Sequence, residues 1–225
     1  MRKILVITAL VCSLSPKAQI QVYLSGGTNN TQIRATGSPD GISQGNNSKW
    51  QWQMGASVIL PAAGDIFLYT GLQYEAKAFH EAMDICCVVM RDVSYHPKYI
   101  NLPVGVGYQL RVLKNTSLQF SAGGYVSMGA GGRMEGMVQR NDLPISGGLF
   151  MSPYFNRKIS FGADADIKRW RWGLESGISA NWKKIVLQFH YQIDISNSEH
   201  ENSYREFQYS TTRFDLGYRL FNFKK

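Results

Sequence analysis

The stretch YINLPVGVGYQL, Tyr99 to Leu110, sets Ile100, Leu102, Val104, Val106, Tyr108 and Leu110 on one face of an extended chain, and Tyr99, Asn101, Pro103, Gly105, Gly107 and Gln109 on the other, because successive strand side chains alternate. One face is apolar. The second carries glycines, amides and a proline where a surface facing water would carry Lys, Glu and Thr, so it suits a crowded interior.

The same period of two recurs along the chain. Ile20, Val22 and Leu24 share a face; so do Trp50, Trp52, Met54, Ala56, Val58 and Leu60, and then Ile66, Leu68, Thr70, Leu72 and Tyr74. After the Tyr99 strand come Leu118, Phe120, Ala122, Gly124, Val126 and Met128; Trp170 through Trp182; Ile185 through Ile193; and Phe214, Leu216, Tyr218 and Leu220. That predicts eight strands. Short turns at 61–65, 111–115 and 182–184 alternate with long polar segments at about 28–48, 79–98, 131–168 and 196–206. All short turns then lie on one rim and all long loops on the other, the plan of an outer-membrane barrel with periplasmic turns and extracellular loops. The expected fold class is all-β: an eight-stranded antiparallel transmembrane up-and-down β-barrel, with both termini on the periplasmic side.

Alternation alone also fits a soluble lipocalin-like barrel with an apolar ligand inside. Two features favour the membrane. Aromatics cluster at the ends of the apolar faces, with Trp50, Trp52, Trp170, Trp172 and Tyr209 toward the loop rim and Tyr108, Trp182, Tyr218 and Phe221 toward the turn rim, as interfacial girdles require. The polar face mixes small residues with opposite charges, Glu75, Lys77, Arg171, Glu175, Asp194, Arg213, Asp215 and Arg219, which can pair in a narrow lumen. Eight strands enclose only enough space for their own side chains. A plugged interior without a wide channel is expected, with Glu75, Glu175 and Asp215 contacting Lys77, Arg171, Arg213 or Arg219, because an unpaired buried carboxylate is costly.

The 225 residues suffice for one large all-β domain. Residues 1–18 read as a signal peptide: basic Arg2 and Lys3, an apolar run from Ile4 to Leu14, and Ala18 before the expected cut, leaving 19–225 as the barrel. That run is about half the roughly 20 residues of a membrane-spanning helix. Cys12 follows the bulky Val11 rather than the small residue of a lipidation site. Removing Arg2, Lys3 and Lys17 takes three of 24 basic residues away against 16 acidic ones and lowers the net charge from +8 to +5. No basic stripe interleaved with stacking aromatics appears, so nucleic acid is not an expected partner.

With the strands in place, the Tyr-x-x-Leu-Pro pattern at Tyr99–Pro103, WRWGLESGISANW at Trp170–Trp182 and FDLGYRL at Phe214–Leu220 resemble shared positions of the PorT-like family of bacterial outer-membrane β-barrels. The resemblance spans most of the mature chain and implies a bacterial outer-membrane location. Lys224 and Lys225 follow Phe223, where a terminal aromatic is usual.

Candidate chemistry is sparse. His80, Glu81, Asp84, Cys86, Cys87 and His96 crowd one loop, but their spacing matches no established ligand set, and adjacent cysteines poorly share one tetrahedral ion, so no metal or other cofactor is expected. Adjacent thiols suit a strained vicinal disulfide or simple packing. A lipid-modifying hydrolase would group Ser, His and a carboxylate; Ser176 is predicted to face lipid and His190 the lumen, so no enzyme is expected. GAGG at Gly129–Gly132 has no following helix and reads as a strand end opening into a loop. The third loop is unusually apolar, with Met134, Met137, Leu143, Ile145, Leu149, Phe150, Met151, Tyr154 and Phe155 beside Arg133. Met134, Met137, Leu149, Phe150, Tyr154 and Phe155 are its candidate partner-binding residues; a hairpin packing on its neighbours is the alternative. The expected role is structural or partner-binding through extracellular loops, the partners being outer-membrane lipid and an extracellular or periplasmic protein.

Overall fold

In the computed structural model, residues 20–36, 48–85, 89–140, 154–162, 167–196 and 206–223 are described. The expected signal peptide at 1–18, with Cys12, and the pair Cys86 and Cys87 lie outside them. Ten strands form among the described residues: β1 (Ile20–Thr36), β2 (Trp50–Ala63), β3 (Ile66–Ala76), β4 (Phe79–Ile85), β5 (Val89–Leu113), β6 (Thr116–Arg140), β7 (Phe155–Lys158), β8 (Trp170–Trp182), β9 (Ile185–Asp194) and β10 (Glu206–Phe223). The 8 ring-bonded strands are β1, β2, β3, β5, β6, β8, β9 and β10, closed by β1 pairing with β10 and by β5 pairing with β6. All pairings within the ring are antiparallel. Closure leaves the ring no free edge, which a membrane demands of strands.

The apolar faces point outward. Leu72, Val104, Leu174, Leu187 and Leu216 are all exposed, and β8 alternates exposed and buried at every residue. Inside lie Arg171, Arg213, Lys77, Glu75, Tyr99 and Gln192, almost wholly buried. A carrier of apolar ligands needs the reverse arrangement, so the lipocalin-like alternative is disfavoured. Small residues make the interior fit: a Cβ on Gly107 would stand 2.2 Å from the Phe67 ring, and one on Gly177 would stand 2.5 Å from Nδ1 of His190.

The ring is uneven in height. β9 has 10 residues, about what a tilted strand needs to cross the bilayer, whereas β5 and β6 have 25 each. The expected loops at 79–98 and 131–168 are therefore partly strand: β4 pairs with the outer half of β5, and β7 with the outer half of β6. Gly129–Gly132 is likewise not a strand end but lies inside β6. There Tyr99 opposes Gly129 while Lys98 opposes Gly131, so Ala130 is an extra residue, with Gly131 and Gly132 at φ of 145° and 153° supplying the unusual backbone.

Candidate functional site

The lumen holds two charged layers. In the deeper one Arg213 bridges two acids, with Nη1 3.1 Å from Oε2 of Glu175 and Nη2 3.3 Å from Oδ2 of Asp215. Amides fill the remaining positions: Gln192 donates to Glu175 at 2.6 Å, Gln53 donates to Asp215 at 2.6 Å, and Gln73 accepts from Arg213 at 2.6 Å. His190 Nδ1 lies 3.3 Å from the other Glu175 oxygen. A space of about 30 Å³ beside Tyr69, Glu175 and His190 has room for about one water.

Nearer the extracellular mouth, Lys77 pairs with Glu75 at 2.9 Å and donates to Thr211 at 2.8 Å, and Arg171 pairs with Asp194 at 2.8 Å. Tyr125 donates to Asp194, and Ser127 to Asn101. The Arg171 guanidinium lies 3.9 Å from the centre of the Tyr99 ring and 4.6 Å from that of Tyr209, close enough for cation–π attraction in a desolvated site. Tyr209 is thus buried in the lumen and not part of the girdle. It shares the parity of Thr211 and Arg213 on β10, and that parity identifies its direction. Arg219 stands apart from both layers at the turn rim, donating to the Lys183 carbonyl. The residues of Trp50, Trp52, Tyr108, Trp170, Trp172, Trp182 and Tyr218 all expose their rings on the outer wall.

Above these layers, the outer halves of β5 and β6 with β4 and β7 build a cap. Phe79, Val93, Tyr95, Met134, Ile159, Ile167 and Tyr209 form its core, with Phe155 and Phe161 packed against it. Phe79 stacks on Tyr95 at 4.8 Å, and the Phe161 ring lies where a Cβ on Gly129 would be. Of the candidate partner-binding residues, Met134 is therefore interior at 3% exposure and Phe155 half-buried, whereas Met137 and Tyr154 are exposed. Leu149 and Phe150 lie outside the described residues. Residues that sequence reasoning missed here are Val93 and Tyr95, in a segment that read as a polar loop, and Ile159 and Ile167, in the third loop beyond the apolar residues named for it.

The outer face of the cap is polar. His96, Arg133 and Glu135 project from it; Tyr154 donates to Glu135 at 2.9 Å, and that carboxylate pushes the exposed phenol above its ordinary pKa. His96 lies 3.8 Å from Glu135, and His80 3.1 Å from the Ser94 hydroxyl. Ser176 faces outward and His190 inward, on opposite sides of the wall.

Several solved outer-membrane proteins are similar to this chain at low sequence identity. OprG of Pseudomonas aeruginosa has a TM-score of 0.50 and 10% identity, with 91% of this chain and 97% of that one covered. Ail, the attachment invasion locus protein of Yersinia pestis, has a TM-score of 0.41 and 11% identity over 89% and 98% of the two chains. Neisserial surface protein A has a TM-score of 0.42 and 11% identity over 88% and 97%. No curated protein sequence matches this chain. The family model described as an outer membrane protein beta-barrel domain matches residues 13–200, and the chain belongs to that family of bacterial outer-membrane barrels.

Proposed function

We propose that this barrel is a non-enzymatic binding protein without a wide pore, whose folded extracellular cap is the platform that meets an extracellular partner. The carrying observation is the cap's own apolar core, which fixes a water-exposed sheet above the membrane while Met137 and Tyr154 remain exposed on it, at 48% and 60%. A preorganised surface loses little entropy on binding. The absence of enzymatic activity is supported by the separation of Ser176 from His190 and by the commitment of the lumen carboxylates to cations. Membership of the PorT-like branch rests on Tyr99–Pro103, Trp170–Trp182 and Phe214–Leu220, all of which lie in wall strands.

The test is photo-crosslinking on intact cells with benzoylphenylalanine at Met137 or Tyr154, and at the lipid-facing Leu72 and Leu187 as controls. A discrete adduct formed only from the cap positions supports the platform. Identical patterns from cap and wall reject it.

A further inference from the structure

We propose that the periplasmic end of the barrel is a receptor vestibule for an acidic peptide segment of a periplasmic protein. The turn rim opens along the barrel axis into a cavity of about 520 Å³, within the range of ligand pockets. Its floor is apolar: Ile59 and Phe67, with Tyr23 and Val186, form a buried layer that separates it from the charged lumen. Its rim is basic, with Arg111, Lys114 and Arg219 lining it against a single acid, Asp65, which stands 3.8 Å from Arg111.

A second observation is independent of charge. Asn181 lines the same cavity, is only 6% exposed, and has no hydrogen-bond partner for either Nδ2 or Oδ1 among the described residues. Buried polar atoms are nearly always satisfied, and an orphan calls for an explanation. An amide offers both donor and acceptor, the complement of a peptide unit. The cations select carboxylates and steer them inward, and the apolar floor accommodates a side chain.

The direction of the opening favours peptide over lipid. Lys183 and Lys184 place their ammonium groups 5.2 Å and 5.8 Å from the ring centres of Trp182 and Tyr218, which lie on the lipid-facing wall, so phospholipid headgroups are met from outside the barrel. The vestibule mouth faces the aqueous periplasm instead.

The experiment is calorimetric titration of the refolded full barrel in phosphatidylcholine nanodiscs with N-acetyl-tetraglutamate amide, using tetralysine and inorganic phosphate as comparison probes. Tetraglutamate is expected to bind, more weakly at high salt. Binding should fall about tenfold or more when Arg111→Glu and Lys114→Glu are combined, and severalfold in Asn181→Ala. Both variants should keep the heat-modifiable migration of a folded barrel, because the rim residues are exposed and Asn181 makes no bond to lose. The proposal is overturned if tetraglutamate gives no heat, if the charge-reversed barrel binds it as well as the parent, or if Asn181→Ala leaves the affinity unchanged. It is also overturned if phosphate competes at equal concentration, which marks an adventitious ion only. None of these outcomes bears on the extracellular platform.

Discussion

The strands β5 and β6 cross two solvents, and their two halves are built in opposite senses. Within the membrane, Leu102, Val104 and Val126 face out while Asn101, Ser127 and Tyr125 face in. In the cap, His96, Arg133 and Glu135 face out while Val93, Tyr95 and Met134 face in. The membrane half buries polar groups because lipid accepts only the apolar face; the cap half buries apolar groups because water rewards the reverse. On β5 the inward parity is continuous, since Val93, Tyr95, Pro97, Tyr99 and Asn101 all point inward, and only the residue type changes. On β6 the extra residue Ala130 shifts the parity, and that shift turns Met134 inward in place of Arg133.

The largest effect expected on this comparison comes from the membrane half. Arg213→Met leaves Glu175 and Asp215 buried without their bridging cation, and removing one partner of a buried ion pair costs about 3–5 kcal/mol. Urea unfolding from lipid vesicles, followed by tryptophan fluorescence, should show the whole ring losing stability. A loss under about 1 kcal/mol would mean that the amides, not the cation, hold the lumen together.

Replacing both Gly131 and Gly132 with Val tests the cap half. Their φ of 145° and 153° is a backbone that glycine alone adopts readily, so valines favour a regular ladder that keeps Ala130 in register. Arg133 and Glu135 would then enter the space now filled by Met134, beside Val93 and Tyr95, and each buried ion costs several kcal/mol. Limited proteolysis of the folded protein should therefore cleave the cap of the double variant while the ring keeps its heat-modifiable migration. Met134→Ala should open the cap more mildly, by about 2–5 kcal/mol of local stability. If both variants resist protease as the parent does, the bulge does not set the cap's packing.

This contrast also explains what could be read in advance. The count of ring strands, the outward face and the charged lumen residues other than Arg219 follow from a period of two under one solvent, and every ring strand has its apolar set on the face predicted. The cap was not legible for two physical reasons. Its strands carry the pattern in the opposite sense, so Val93 and Tyr95 read as scattered apolar residues within a polar loop, and Met134 as part of a partner-binding surface. A single extra residue then reverses parity, which no periodicity within β6 reveals. Tyr209 is different, because it lies four residues before Arg213 on an unbroken strand, and parity alone places it in the lumen beside Arg171.

The smallest expected effect lies on the outer surface of the cap, where Tyr154 donates to Glu135. The carboxylate charge and the bond both disfavour phenolate, so the folded-state pKa lies above the ordinary tyrosine value of about 10. A raised pKa means that the contact's contribution is present below the unfolded value and is lost as pH climbs through the folded one. Because the side chain is exposed, solvent screens the interaction and the ring's stability should not register it. In tyrosine-labelled protein followed by carbon NMR, with the signal assigned by its disappearance in Tyr154→Phe, the phenol should titrate at lower pH in Glu135→Gln than in the parent. Superimposable titrations would remove Glu135 from the account of the cap's outer face, leaving its apolar core as the sole source of order there.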